Sequence, residues 1–284
     1  MSPCTQKKYA LILGTAFAIT ILGGLLFCTM SKPDILPDML LVQGQPIDPE
    51  CISDLVQGDA KNTDLTQCGI AKTDAENIVT ATAISAQEMA KNHALPHSFG
   101  NTYQCADNNS YCGFFTYGYI GMIDDKAVLL TNSSGGGSGV FSSVITVQRQ
   151  SDILHLDNVI AGGDRCNNGI LEASITDNTV RYTSYLTAFR LFALFSPDTQ
   201  ATNRFEDLPD CAACCNAKIV MNDQTPMHLT LQADSFISDD SDSATVKCFN
   251  TAIRDQIAAH GSDLSADQAR ILMQNISNTC SQTE

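Results

Sequence analysis

Cys211-Ala-Ala-Cys214-Cys215 gathers three thiols within five residues, the densest reactive cluster in the chain. A Cys-x-x-Cys pair exchanges electrons with other thiols, and three thiolates with a fourth ligand bind zinc. The redox reading needs a pair that opens a helix inside a βαβ unit, and here the residues that follow, Lys218–Met221 and Met227–Leu231, read as strands. The metal reading lacks a repeated Cys-x-x-Cys to complete the ligand set. No metal and no cofactor is therefore assigned, and these cysteines are expected in disulfides.

Three further groups carry candidate chemistry. His155 and Asp157 lie two apart on one strand-like run, a spacing that points both to one side, as a general base and its orienting acid would. No nucleophile pairs with them in the sequence. His93 and His97 have the i, i+4 spacing of helical metal ligands, but Leu95-Pro96 breaks the helix between them and no His-Glu-x-x-His pattern is present. Gly162-Gly-Asp-Arg-Cys-Asn-Asn-Gly169 permits a tight turn in which Cys166 pins the loop and Asp164 and Arg165 sit on a rigid tip. Asp164, Arg165, His155 and Asp157 are thus the candidate partner-binding residues; no catalytic residue is assigned. The glycine-rich Asn132–Gly139 stretch has no Gly-Lys-Ser/Thr and leads into a strand, which excludes a phosphate loop, and the acidic run Asp234–Asp242 departs from calcium-loop order.

Twelve cysteines are present, about twice ordinary usage. With Cys4 and Cys28 set aside beside the apolar N-terminal segment, the rest read as a framework. Cys248 and Cys280 sit at the two ends that an antiparallel αα-hairpin brings together, so they are expected to bond, for roughly 3–4 kcal/mol. Cys105 and Cys112 flank a turn sequence and Cys51 and Cys68 tie a short helix to the following loop. Adjacent Cys214 and Cys215 do not bond each other without strain, so one is expected to reach Cys166 and the other Cys211 or another cysteine, and the order of residues leaves the pairing of these four open.

These residues need elements to hold them. Val140–Val147, Ile153–Ile160, Ile170–Ile175 and Val180–Leu186 are rich in β-branched and aromatic residues and are separated by turn formers, which predicts four strands of an antiparallel meander. Leu171, Ala173 and Ile175, with Val180, Tyr182 and Leu186, form the core side, and Glu172 and Arg181 face water. Gly113–Ile120 and Ala127–Leu130, joined at Asp124-Asp125-Lys126, precede them. Helical stripes are expected at Asp74–Asn92, behind a Thr73/Glu76 capping box, at Thr187–Phe195, and in a hairpin of Thr245–His260 and Ala266–Asn278 with a Ser265/Gln268 capping box. The expected fold is α+β: an antiparallel β-meander of about six to eight strands with an N-terminal helix and a C-terminal αα-hairpin, stabilised by disulfides.

Location comes from the first 31 residues. Lys7 and Lys8 precede Tyr9–Phe27, an uncharged apolar run of membrane length, so residues 9–28 are expected to engage the membrane as a signal anchor with the remainder outside the cytoplasm, or secreted if cleaved. Residues 32–50, with four prolines, read as a stalk and residues 51–284 as the folded domain. Beyond residue 31 the chain holds 14 basic and 31 acidic residues, a net −17 that opposes nucleic acid and suits a protein or cationic partner. The function expected is an extracytoplasmic binding module; a thiol-redox or metal-dependent enzyme using Cys211–Cys215 or the His155/Asp157 face is the alternative. If the framework is right, a chain lacking residues 1–31 made in a reducing cytoplasm lacks several bridges worth about 2–4 kcal/mol each and is insoluble. The same chain sent to an oxidising compartment is soluble, as fractionation with thiol counting will show; a folded, fully reduced cytoplasmic product would overturn the framework.

Overall fold

Alternation of apolar and polar side chains organises the chain into two antiparallel sheets in the computed structural model, which describes residues 36–70, 98–104, 111–196 and 199–280. Numbered along the chain, the six-stranded sheet runs β3 (Asn62–Asp64), β8 (Ile153–Asp164), β7 (Phe141–Gln150), β6 (Lys126–Ser134), β5 (Tyr111–Ile123) and β4 (Ser98–Gln104). The five-stranded sheet runs β13 (Asp263–Ser265), β12 (Thr225–Leu231), β11 (Ala217–Asn222), β10 (Thr179–Leu186) and β9 (Ile170–Thr176). A two-residue ladder, β1 (Leu41–Val42) with β2 (Gln45–Pro46), stands apart. Tight turns join sequential partners: Asp177 and Asn178, at φ +51° and +59°, link β9 to β10 with both central residues left-handed, as the twist of a two-residue hairpin demands.

The α+β class and the antiparallel pairing agree with the sequence reading, but the single meander does not. The four runs between Val140 and Leu186 divide two and two, β7 and β8 in one sheet and β9 and β10 in the other. Period-two alternation is the same in either sheet, so it reports a strand's faces and not its neighbours.

Five α-helices are present among the described residues: α1 (Pro49–Gln57), α2 (Ala188–Phe195), α3 (Thr199–Arg204), α4 (Ala244–His260) and α5 (Ala266–Cys280). Their starts are capped as the sequence allows. Asp48 accepts from Glu50 N at 2.9 Å, Thr187 from Arg190 N and Ser243 from Val246 N, both at 3.2 Å. At α5 the capping box is reciprocal: Gln268 N donates to Ser265 Oγ at 3.3 Å while Ser265 N donates to Gln268 Oε1 at 2.8 Å. The expected helices α2, α4 and α5 are all found. The hairpin adds what was not expected, because its connector forms β13 and pairs Leu264 with Leu229 at the edge of the five-stranded sheet. The expected 74–92 helix, Cys105, His93 and His97 lie outside the described residues, as does the N-terminal segment. No helix among the described residues is long and apolar enough to cross a membrane.

Two cores share the six-stranded sheet. On one face Phe115, Tyr117, Leu129, Ile145, Val147 and Leu154 pack with α1 and residues 36–68. On the other, Val128, Leu130 and Val144 join the inner face of the five-stranded sheet and helices α2, α4 and α5. There Phe192 stacks on Phe205 with ring centroids 4.0 Å apart and meets Phe249 edge-on at 6.3 Å.

Residues 36–50, expected as an extended stalk, are instead part of the first core. Leu40 and Ile47 are fully buried and Leu36 nearly so. Their irregular backbone is satisfied from the sheet: Tyr117 donates to Ile47 O at 2.6 Å, and Arg149 donates to Leu41 O at 2.8 Å and Asp38 O at 3.2 Å. Prolines suppress helical and strand periodicity without preventing burial, which is why composition misread the segment. Burial, aided by Asp48, raises the Tyr117 hydroxyl pKa far above its ordinary value, keeping it a neutral donor. Tyr117→Phe removes that donor and leaves the Ile47 carbonyl unpaired, so it lowers stability by about 1–3 kcal/mol in urea unfolding; an unchanged midpoint would mean the segment does not rest on the sheet in solution.

Candidate functional site: the open face of the five-stranded sheet

In β10 and β11 the residues that do not enter the core point the other way. Val180, Tyr182, Leu186, Ala217, Ile219 and Met221 are buried, so Arg181, Thr183, Tyr185, Lys218, Val220 and Asn222 form the opposite face. The ladder sets them in rows: Glu172, Thr183, Val220 and His228 across four strands, and Tyr185, Lys218, Thr230 and Asp263 beside them. The helices lie on the inner side of this sheet, and the outer face is left to solvent.

Neighbours within these rows are bonded. Thr183 Oγ1 donates to Glu172 Oε1 at 2.9 Å, and Lys218 Nζ stands 5.4 Å from the Tyr185 ring centroid. Thr230 Oγ1 donates to Asp263 Oδ1 at 2.7 Å, and His228 Nε2 lies 3.3 Å from the same oxygen. Those hydrogen bonds, Thr230's first, hold the Asp263 carboxyl below its usual range. A groove of about 270 Å³ lies along β9 and β10, with Glu172, Ser174, Thr176, Arg181, Thr183 and Val220 in its lining. It offers one cation, one anion and several hydroxyls without a buried nucleophile.

The four residues singled out from sequence stand elsewhere. Asp164 and Arg165 pair with each other, Arg165 Nε to Asp164 Oδ1 at 3.0 Å, and Asp164 Oδ1 also accepts from Val140 N at 2.9 Å. The tip is thereby folded onto the preceding loop. Asp157 accepts from Lys126 Nζ at 2.9 Å and Thr146 Oγ1 at 3.0 Å. It is the extra residue of a β-bulge, since Thr146 pairs with Asn158 and Val147 with Leu156. His155 stands between Gln148 and Asn62 on the flanking strands and makes no side-chain hydrogen bond among the described residues. His155 and Asp157 do not converge with a nucleophile.

The disulfide framework is present wherever it is described. Cys51–Cys68, Cys166–Cys215, Cys211–Cys214 and Cys248–Cys280 are bonded, with Cα separations of 6.0, 4.6, 5.2 and 5.7 Å. Such pairs form in an oxidising, extracytoplasmic environment. The Cys211–Cys214 turn precedes a strand, so no helix N-terminus lies behind it to stabilise a thiolate. Among the described residues no group of three His, Cys, Asp or Glu side chains is placed to hold a metal ion.

Sequence reading had already turned Glu172 and Arg181 toward water. It passed over Tyr185, Lys218 and His228, although the same alternation through 182–186 and 217–231 marks them once β10, β11 and β12 are known to be neighbours. No protein family, curated protein or solved structure matches the chain.

The Lys126 hydrogen bond holds the Asp157 carboxyl below its usual range. A carboxyl depressed in the folded state adds stability above its unfolded pKa, about 3.9, and loses it as pH falls through the folded value. Asp157→Asn should therefore flatten the acid limb: urea midpoints measured from pH 6 to pH 2 should fall less below about pH 4 in the variant than in the parent. Parallel curves would show that the pair contributes nothing.

Proposed function

We propose that this chain is a binding module that works outside the cytoplasm, held at the membrane by its N-terminal apolar segment or released from it, and that it meets a protein partner through the open face of its five-stranded sheet. One observation carries the reading: a sheet buried on a single side presents a groove edged by Glu172, Arg181, Thr183 and Val220, with Tyr185 and Lys218 beside it. Tyrosine rings and arginine are among the side chains enriched where proteins meet, and Tyr185 and Arg181 supply one of each. Asp164, Arg165 and Asp157 are engaged in bonds within the fold, so in this reading they shape the scaffold and the sheet face makes the contact. The acidic balance of the chain favours a partner whose surface is neutral or cationic.

A photo-crosslinking side chain placed at Thr183 or Val220 in the full chain, in the cells that make it, should trap the same partner band from both positions. Arg181→Glu together with Lys218→Glu should remove it at least tenfold, with thermal unfolding unchanged. Equal trapping from Asp255, on the exposed side of α4, or no band from the sheet positions, would rule the face out.

A further inference from the structure

The four described disulfides differ in what they hold and in what can reach them. Chain-closure entropy grows with loop length, so Cys51–Cys68, Cys248–Cys280 and Cys166–Cys215, at separations of 17, 32 and 49 residues, restrain the unfolded chain strongly. Cys211–Cys214, at a separation of 3, restrains it least. Access runs the opposite way. Cys166 and Cys280 are 5% and 2% exposed, and Cys51, Cys68, Cys214, Cys215 and Cys248 are half-buried, whereas Cys211 alone of these eight is exposed. The bridge that closes the shortest loop is the one that includes an exposed cysteine.

The flanks of this turn are anchored without it. Asp210 accepts from Thr187 Oγ1 at 2.7 Å, Asn216 accepts from Ala188 N at 3.0 Å and donates to Ser235 O at 3.1 Å, and Ala212 O accepts from Cys166 N at 3.1 Å. Next to Cys214, Cys215 remains tied to Cys166. Opening Cys211–Cys214 therefore removes one bond from a turn that five other ties keep in place.

We propose that Cys211–Cys214 is a thiol–disulfide exchange site, reducible by a dithiol while the protein stays folded, and distinct from the structural bridges. A thiolate of the dithiol attacks the sulfur of the exposed Cys211, forms a mixed disulfide with it and expels Cys214 as thiolate. The second thiol of the reductant then attacks its own sulfur in the mixed disulfide and expels Cys211. Two electrons pass from the dithiol, which ends as its own disulfide, to the two cysteines, which take up protons from solvent. Rates of such exchange follow access to the attacked sulfur, and Cys211 is the one exposed residue among the eight cysteines of the described bridges.

The test uses the oxidised full chain, incubated without denaturant in graded dithiothreitol, quenched with an alkylating reagent and read by peptide mass spectrometry, with near-ultraviolet circular dichroism recorded alongside. The expected result is half-labelling of Cys211 and Cys214 at a dithiothreitol concentration at least tenfold below that needed for Cys51–Cys68, Cys166–Cys215 and Cys248–Cys280, with the dichroism unchanged. Labelling of Cys211 and Cys214 only together with the other three bridges, or only as the dichroism is lost, overturns the proposal. The double variant Cys211→Ser/Cys214→Ser separates the site from the fold: it should keep the parent dichroism and show no labelling of those three bridges at the low concentration. Its misfolding would show the bridge to be structural and would likewise overturn the proposal. Neither result bears on the sheet face, whose test reads Thr183 and Val220.

Discussion

The handover between the two sheets is the constraint on which the remaining architecture rests. The chain leaves β8 at Asp164 and enters β9 at Ile170, with five residues between them. Arg165 at φ +47° and Asn168 at φ +62° are both left-handed, and the turn closes through Asn167 N to Asp164 O at 2.8 Å and Gly169 N to Arg165 O at 2.8 Å. No side chain fits at two of its positions: a Cβ on Gly163 would stand 2.0 Å from Asn167 O, and one on Gly169 2.2 Å from Arg165 O. The Cys166–Cys215 bridge fastens the turn to the residues leading into β11, and buried Ser142 Oγ accepts from Ile170 N at 2.6 Å across the sheets. Asp164 and Arg165 belong to this device, since their pairing and the Val140 bond hold the turn against the β6–β7 loop.

Once the handover is made, burial distributes itself by parity. β6 sends Ala127 and Leu129 to one core and Val128 and Leu130 to the other, so the middle of the six-stranded sheet has no wet side. β10 and β11 have one buried parity only, because the helices supply a single layer of cover. A second layer would need another apolar set at Arg181, Thr183, Lys218 and Asn222, and the sequence puts polar side chains there. The open face is therefore a consequence of how much apolar sequence the chain has and where it is spent, and the polar rows that result satisfy one another through Glu172–Thr183 and Asp263–Thr230.

Much of this was legible in residue order, and the failures share a cause. The faces of β9 and β10, helices α2, α4 and α5, the Ser265/Gln268 cap of α5 and the Cys248–Cys280 bridge follow from patterns within a few residues, or from one hairpin's symmetry. Excluding a vicinal bond sent one of Cys214 and Cys215 toward Cys166, and only the fold decides that it is Cys215, with Cys214 bonded to Cys211. What could not be read was adjacency at long range: that β9 starts a new sheet, that β13 in a helical connector pairs with β12, and that proline-rich residues 36–48 lie under Tyr117 and Arg149 some 70 to 110 positions away. His155 and Asp157 illustrate the same limit at short range. Their spacing implied one side of a regular strand, but a bulge absorbs Asp157 into a bond with Lys126 on β6, a strand whose position no local pattern states.

Disulfides and open surface are linked by the same accounting. Long connections such as 204–216 carry little regular structure, and their backbone is held by Cys166–Cys215, by Asn216 at the start of α2 and by Asp210 beside Thr187. Covalent ties let these connections stay ordered without apolar cover, and the apolar residues are left to close the two cores. A chain that depended on burial alone would have to dry the outer face of β9–β12 or shorten those loops. With oxidation available it needs neither, and the face that carries Arg181, Tyr185 and Lys218 stays open to solvent.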